Sequence, residues 1–165
     1  MSAPVTHVVH PFGPLFCPES RILILGSFPS VKSREASFFY GHPLNRFWPM
    51  LAAVFSEAVP HTVEEKTALA LRHRLALWDV IAECDIVGSS DASVRNAVPT
   101  DIARITAHAP IRRVLTNGAL STKLYRQYLE AVTGIEPIRM PSTSPANAAC
   151  SFDKLVEIWR AALTS

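Results

Sequence analysis

The chain has 165 residues, of which 48% are hydrophobic and 18% are charged, and this composition excludes a disordered or fibrous protein. The net charge of +2 is only weak evidence for an anionic partner. No apolar run approaches the ~20 residues that a membrane span needs. The three dispersed cysteines argue against a disulfide framework and a four-thiolate metal site. With no secretory signal at the N-terminus, we expect a cytoplasmic protein of one domain, residues 1–165.

Hydrophobic periodicity predicts strands that alternate with helices along the chain. Residues 1–20 contain four prolines and are predicted to form an extended arm over the surface. Strands are predicted at 22–25, 75–82, 111–116 and 136–140, and helices at 47–55, 63–74, 101–108, 119–131 and 152–163. The polar segment 83–99 is predicted to be a loop. This alternation predicts a three-layer α/β/α fold with a central, mostly parallel sheet of four strands.

The loops that follow the predicted strands should gather at one edge of the sheet, where the carboxyl ends of parallel strands meet. Their amides, hydroxyls and flat rings suit a planar heterocycle. The chain has neither a P-loop nor a G-x-G-x-x-G motif, which argues against a nucleoside triphosphate or a dinucleotide. The polar candidates are Ser27, Ser30, Asn45, Asp79, Ser142, Thr143, Ser144 and Asn147, and the aromatic candidates are Phe28, Phe38, Phe39 and Tyr40.

Four segments, in the right order along the chain, resemble motifs of the uracil-DNA glycosylase superfamily. Residues 26–30 (GSFPS) stand where the superfamily has a G-x-[ND]-P loop. Residues 40–48 (YGHPLNRFW) resemble the Y-x-x-P-x-N-x-F-W signature of hypoxanthine-DNA (deoxyinosine) glycosylases and of related mismatch-specific thymine/uracil enzymes. Residues 77–81 (LWDVI) stand where relatives carry the strand that recognises the base, and 141–145 (PSTSP) resemble the Pro-Ser loop that enters the DNA. The resemblance covers about residues 18–162 and is closest to the hypoxanthine-DNA glycosylase family.

Two departures from the superfamily pattern bear on the expected chemistry. Phe28 replaces the water-activating Asp or Asn of the first loop (residues 26–46). Met140 replaces the His or Asn that opens the second motif, the Pro-Ser loop. Both argue against classical uracil hydrolysis. The resemblance to the hypoxanthine family implies instead that Asn45 orients a water against C1′ of a nucleotide that has left the stack. Lys32 in the first loop carries no sign of activation, so we expect simple hydrolysis without a Schiff-base step.

Several candidates have a structural role as the alternative. Asn45 is a favoured N-cap for the helix that begins at Phe47, and both roles can coexist. Asp79 interrupts an apolar strand, so it either accepts the N1–H of hypoxanthine or caps a turn or pairs with an arginine. Tyr40 or Phe39 either stacks on the flipped base or packs in the core.

The sequence and the resemblance together predict the following site. Asn45 is the catalytic residue, the base-binding residues are Gly26, Ser27, Phe28, Phe39, Tyr40 and Asp79, and the DNA-binding residues are Ser30, His42, Ser142, Thr143, Ser144 and Asn147. No metal and no cofactor are expected. The predicted partner is double-stranded DNA containing a deaminated base, bound by a monomer at the nucleoid during base excision repair. Two alternatives stay open: a mismatch-specific uracil or thymine DNA glycosylase, and a non-catalytic nucleotide or nucleic-acid binding module on the same fold.

Overall fold

The computed structural model describes residues 4–165 and alternates strands with helices over most of that length. The strands are β1 (Thr6–Val9), β2 (Ile22–Gly26), β3 (Leu75–Asp79), β4 (Ile81–Ile86), β5 (Arg95–Pro99), β6 (Arg113–Asn117) and β7 (Pro137–Met140). The helices are α1 (Val31–Ala36), α2 (Phe47–Val54), α3 (Val63–Arg72), α4 (Ala103–Thr106), α5 (Ala119–Tyr128), α6 (Glu130–Thr133) and α7 (Phe152–Thr164).

The centre of the fold is a four-stranded parallel sheet with the strand order β3-β2-β6-β7. Strands β2, β3 and β6 are largely apolar and buried, as is typical of parallel sheets that are covered on both faces, whereas the edge strand β7 is partly exposed. Helix α3 packs on β3, α5 packs on β6 and β7, and α7 packs on β7 and on α2. The predicted α/β fold with a central four-stranded sheet is therefore confirmed. The register pairs Gly26 with Asp79, which brings the ends of β2 and β3 side by side.

A second sheet of three antiparallel strands has the order β1-β4-β5. The prediction that residues 83–99 form a loop is therefore wrong, because most of β4 and all of β5 lie there. Buried residues of β4 are interrupted by partly buried polar ones, and β5 is largely exposed, so the segment lacks the apolar run by which the central strands are recognised. The predicted strand 75–82 is in fact two strands, which divide at Val80.

The predicted N-terminal arm is tied into the small sheet. Residues 1–3 of the arm lie outside the described residues. Thr6–Val9 pairs with β4, and Leu15 makes an isolated bridge to Leu77. The segment is extended as predicted, but it does not simply lie over the surface, because its backbone is hydrogen-bonded to both sheets.

The helices follow the predicted pattern with two differences. The short helix α1 was not predicted, and it begins after Ser30, whose side chain accepts a hydrogen bond from the N–H of Ser33. The predicted helix 119–131 is divided into α5 and α6 at Leu129. Within residues 4–165, no helix is long and apolar enough to cross a membrane.

Candidate active site

A cavity of about 520 Å³ opens at the carboxyl edge of the parallel sheet. It lies where the loops after β2, β3, β6 and β7 meet. The structure brings all but one of the predicted site residues to its wall, the exception being Asn147. The predicted residues that line it are Gly26, Ser27, Phe28, Ser30, Phe39, Tyr40, His42, Asn45, Asp79, Ser142, Thr143 and Ser144.

The end of β2 contacts Asp79 so closely that only glycine fits at position 26. A Cβ atom on Gly26 would lie 2.5 Å from Oδ1 of Asp79 and 3.3 Å from the hydroxyl oxygen of Tyr40. The first of these distances is far inside van der Waals contact. The absence of a side chain on Gly26 therefore lets the carboxylate and the phenol approach the same point of the backbone.

Asp79 is 5% exposed, and its partner is a histidine. Nε2 of His10 lies 2.7 Å from Oδ2 of Asp79, and the side chains of both residues are almost completely buried. The alternatives of an arginine partner or a turn cap for Asp79 are therefore wrong. His10 follows β1 directly, and sequence reasoning missed it because the pair is separated by 69 positions.

The aromatic residues of the first loop are not equally free to contact a base. Tyr40 stacks on Phe47 with ring centroids 4.0 Å apart, so one face of its ring is covered. Phe39 is 3% exposed and packs edge-on against Phe12 and Phe38. Phe28 is half-buried at the cavity wall. Phe28 therefore offers a base more ring surface than Phe39 does.

The hydroxyl of Tyr40 is buried without a hydrogen-bond partner among the described residues. Burial raises the pKa of Tyr40 strongly, and the nearby charge of Asp79 raises it further, while the side chain of Asn117 acts in the opposite direction. The phenol therefore keeps its proton and is a potential donor beside the carboxylate acceptor. A buried polar group without a partner is costly, and this hydroxyl is therefore available to a ligand in the cavity.

Asn45 is half-buried at the cavity wall and already has a structural partner. Its Oδ1 accepts a hydrogen bond of 2.9 Å from the N–H of Phe47, the first residue of α2. This contact fixes the orientation of the amide and satisfies one of the free N–H groups at the helix start. A second lone pair on Oδ1 and the Nδ2 hydrogens remain for a water or a substrate. The N-cap residue of α2 is Arg46, so Asn45 supports the helix start from the position before the cap, and this contact leaves room for the predicted catalytic role.

The loop 141–150 is held against the first loop by Arg46. The guanidinium of Arg46 donates to the carbonyl oxygens of Cys150, Asn147 and Ser144 at 2.5, 3.0 and 3.4 Å. The N–H of Arg46 also donates to the carbonyl of Thr143 at 3.1 Å. One residue therefore sets the position of the Pro-Ser loop relative to Asn45.

Asn117, at the end of β6, also holds the same loop in place. The side chain of Asn117 accepts a hydrogen bond from the N–H of Thr143 and donates one to its hydroxyl oxygen, both at 3.0 Å. Thr143 is completely buried by this arrangement. The prediction that Thr143 contacts DNA is therefore wrong for this conformation, because its side chain fixes the loop from inside.

In the remaining residues predicted to contact DNA, some of the hydroxyl and amide groups already form hydrogen bonds within the protein. Ser142 and Ser144 each accept a hydrogen bond from a loop N–H, which leaves their hydroxyl hydrogens free to donate. Ser30 is the cap of α1 and also bonds the hydroxyl of Ser33. The amide nitrogen of Asn147 donates to the carbonyl of Ser142, outside the cavity wall.

His42 and Ser27 complete the predicted set. Nδ1 of His42 accepts the N–H of Leu44, so its Nε2–H is the group available to a phosphate. Ser27 donates to Oδ1 of Asp91, a wall residue that was not predicted. Burial raises the pKa of Asp91, and the charge of Asp79 adds to the effect. Within residues 4–165, no group of three His, Cys, Asp or Glu side chains is arranged to hold a metal ion.

Comparison with known proteins places this fold and cavity in a class. A solution NMR structure of a candidate uracil DNA glycosylase from Methanosarcina acetivorans superposes with a TM-score of 0.79 and 29% identity, covering 92% of this chain and 94% of that one. The fold is thus that of the uracil-DNA glycosylases, as the motifs predicted. No protein-family model matches the chain.

Two curated relatives are named hypoxanthine DNA glycosylase. The protein from Methanosarcina acetivorans is 31% identical over 86% of this chain and 89% of its own length, and the protein from Methanosarcina barkeri is 32% identical over 82% and 86%. The chain belongs to the hypoxanthine DNA glycosylase family. The family predicted from the motifs is confirmed.

Proposed function

We propose that this protein removes hypoxanthine from DNA by hydrolysing the N-glycosidic bond of deoxyinosine. Membership of the family supports a DNA glycosylase that acts on a deaminated base. The observation that carries the choice of chemistry is the cavity itself, whose wall contains a fixed amide, a buried carboxylate and an aromatic ring. Its volume lies in the range of small-ligand sites and is sufficient for a single extruded purine.

The base would enter the cavity with its edge toward Asp79 and Tyr40. Hypoxanthine presents an N1–H donor beside an O6 acceptor, and the cavity offers a carboxylate oxygen and a protonated phenol. Adenine has the opposite pattern, an N1 acceptor beside an amino group, so the same pair of groups disfavours it. Phe28 supplies a ring surface against the face of the base.

Asn45 would hold the attacking water against C1′. As the bond to the purine breaks, the sugar becomes oxocarbenium-like, and the nucleophile needs positioning more than activation. An amide oxygen suits that task although it is not a base. Breakage leaves the purine with the electron pair of the glycosidic bond, and the donors of the wall stabilise the charge. Among residues 4–165, no lysine lines the cavity to form a Schiff base, so we expect the product to be an abasic site.

The finer features of the substrate complex belong to the same proposal. We propose that the protein acts as a monomer of one domain on double-stranded DNA in the cytoplasm, with Ser142, Ser144, Ser30, His42 and Asn147 near the DNA backbone. Hydroxyls and amides commonly contact phosphates, which supports this placement.

Removal of uracil or mismatched thymine is the second candidate. It is favoured by the name of the structural neighbour and by the fact that uracil also presents a ring N–H beside a carbonyl oxygen. Phe28 stands where the superfamily has a water-activating Asp or Asn, and this replacement argues against removal of uracil or thymine as the main activity.

A panel of duplexes tests the proposal. Duplexes with a single deoxyinosine, deoxyuridine, deoxyxanthosine or mismatched thymine are incubated with the protein and treated with hot alkali. We expect cleavage first and fastest at deoxyinosine, and none without alkali. Faster cleavage at uracil would favour the second candidate, and binding without cleavage at any base would indicate a non-catalytic module.

A further inference from the structure

We propose that His10, from the N-terminal segment, is a positioning residue that sets the base specificity of the cavity through Asp79. The inference rests on the proposed function, since it concerns how the same site recognises its base. His10 does not line the cavity and is not expected to touch the substrate. Its role is to fix which oxygen of Asp79 faces the base.

The hydrogen bonds of the imidazole determine its tautomer. The N–H of Phe12 donates to Nδ1 of His10 at 3.3 Å, so Nδ1 presents a lone pair. The proton of the neutral ring must then be on Nε2, which lies 2.7 Å from Oδ2 of Asp79. His10 therefore donates, and Asp79 accepts. A doubly protonated ring would direct its Nδ1 hydrogen at the N–H of Phe12.

This hydrogen bond gives the two carboxylate oxygens of Asp79 different roles. Oδ2 is occupied by His10, and Oδ1 accepts no hydrogen bond from residues 4–165 while it lies against Gly26 at the cavity wall. An acceptor in this place can bond the ring N–H of hypoxanthine. It would repel N1 of adenine, which carries a lone pair.

Loss of His10 would change the chemistry of the acceptor as well as its orientation. A buried carboxylate without a donor tends to take up a proton, and a protonated carboxyl is a donor that can bond N1 of adenine. The titratable groups that face Asp79 are His10 from the N-terminal segment, Tyr40 from the first loop and Asp91 from the β4–β5 connection. Tyr40 keeps its proton, and burial and the charge of Asp79 raise the pKa of Asp91, so Asp91 is the other carboxyl whose charge acts on this site.

The packing around His10 allows a matched pair of variants. Its ring lies edge-on to Phe12 and Phe28, with centroids 4.5 and 5.9 Å away. His10→Leu keeps an apolar side chain in that contact but removes the donor. His10→Gln keeps a donor that can reach Asp79 and cannot titrate.

The test measures excision of hypoxanthine and adenine from matched duplexes across pH 5 to 9, for the wild type and for both variants. For His10→Leu we expect kcat/KM at pH 7 for hypoxanthine to fall about 10- to 100-fold, the size of a lost hydrogen bond to a charged group. We expect its ratio of hypoxanthine to adenine excision to fall as well, because the acceptor is no longer held toward the base. His10→Gln should keep the rate within about threefold and leave this ratio unchanged. Asp91→Asn removes the other carboxylate that faces Asp79, serves as the control, and should not reproduce the fall in the ratio.

The outcomes separate this inference from the proposed function. If the wild type does not excise hypoxanthine, both fail. If it does, and His10→Leu matches its rate, its hypoxanthine-to-adenine ratio and its pH profile, the inference alone is overturned. If His10→Leu does not fold, the tautomer decides the question in the wild type: ¹⁵N NMR of the His10 ring should show the proton on Nε2 at pH 7. A proton on Nδ1 would overturn the inference.

Discussion

The two sheets of this protein contribute to the cavity in different ways. The parallel sheet supplies Gly26, Asp79 and Asn117 at the ends of strands whose register is set by burial on both faces. The antiparallel sheet is mainly exposed on its edge strands β1 and β5, and it contributes His10 just beyond β1 and Asp91 in the connection between β4 and β5.

The difference shows how a buried polar site is completed. Asp79 ends an apolar strand, and its partner in the register of the sheet is Gly26, which has no side chain to donate a hydrogen bond. The donor comes from a separate element that is held by main-chain pairing to β4. The comparison thus predicts large functional effects from changes at the parallel edge and at His10, which bonds Asp79 there, and smaller ones from changes elsewhere in the small sheet.

The largest effect is expected from Asn45→Ala. Without the amide of Asn45 the attacking water is no longer positioned, and the rate of excision should fall by about 100-fold or more. The variant also loses the contact with the N–H of Phe47, which should lower the free energy of unfolding by about 1 kcal/mol. Single-turnover excision and urea denaturation measure the two effects separately.

A matched control for Asn45→Ala removes a cap elsewhere. Thr62 accepts a hydrogen bond from the N–H of Glu65 at the start of α3, away from the cavity. Thr62→Ala should lose a similar amount of stability and keep full activity. Near-native excision by Asn45→Ala would contradict the catalytic assignment.

Gly26→Ala should have the next largest effect. The new methyl group would collide with Oδ1 of Asp79, so the carboxylate must turn away from the base. We expect about a tenfold or greater loss of excision, with a cost of about 1–3 kcal/mol in stability from overpacking. Gly134→Ala is the control, because its φ of +70° strains the backbone but its Cβ meets no atom within 4 Å. Equal activity in both variants would show that Asp79 does not contact the base.

Arg46→Lys should have a moderate effect. A lysine cannot reach three carbonyl oxygens at once, so the loop 141–150 should loosen and KM for the duplex should rise about three- to tenfold with kcat less affected. Hydrogen exchange in that loop should accelerate. Arg113→Lys is the control, since Arg113 donates to the carbonyls of Ala162 and Ser165 instead. Unchanged exchange in the loop would show that Arg46 does not hold it.

The smallest effect is expected from Asp85→Ala in the antiparallel sheet. Asp85 on β4 bonds His7 and Asn96, and so joins all three strands. These bonds, first to Asn96 and then to His7, hold the pKa of Asp85 below its ordinary value. A carboxyl with a lowered pKa in the folded state stabilises the protein above the pKa of the unfolded chain, and this contribution is lost as the pH falls.

Thermal denaturation from pH 7 down to pH 2 checks this prediction. The wild type should be slightly more stable than Asp85→Ala at pH 7, and the difference should shrink below about pH 4. Excision should change little. Asp85→Asn keeps the hydrogen-bond acceptor but cannot titrate, so its stability relative to Asp85→Ala should not depend on pH. A large loss of excision in Asp85→Ala would break the contrast between the two sheets.

The sequence was sufficient to predict the strands of the parallel sheet and most of the site residues at their ends. Continuous apolar runs followed by Gly26, by Asp79 and by Asn117 mark the strands and their ends, and the order of the loops then places most site residues together. The segment 83–99 was predicted wrongly because an exposed antiparallel strand has no such run. Its polar residues are indistinguishable from those of a loop.

The contacts that complete the site could not be predicted from the sequence, and the reason is physical. His10 and Arg46 act across 69 and about 100 positions of the chain, through single hydrogen bonds that leave no periodic pattern. Thr143 was taken for a DNA contact because a hydroxyl in a Ser/Pro loop is normally exposed, and only the fold shows Asn117 behind it. A buried carboxylate did require a partner, and that requirement was the one available signal for His10.

The fastening of the loop 141–150 by Arg46 and Asn117 has a thermodynamic consequence. A segment that enters DNA from a disordered state must be ordered at the moment of encounter, and that ordering weakens binding. In the loop 141–150 this conformational entropy has already been lost when the chain folds. If the loop enters DNA as proposed, successive trials along a duplex require only rigid-body approach, which suits a protein that must inspect many undamaged bases for each one that it removes.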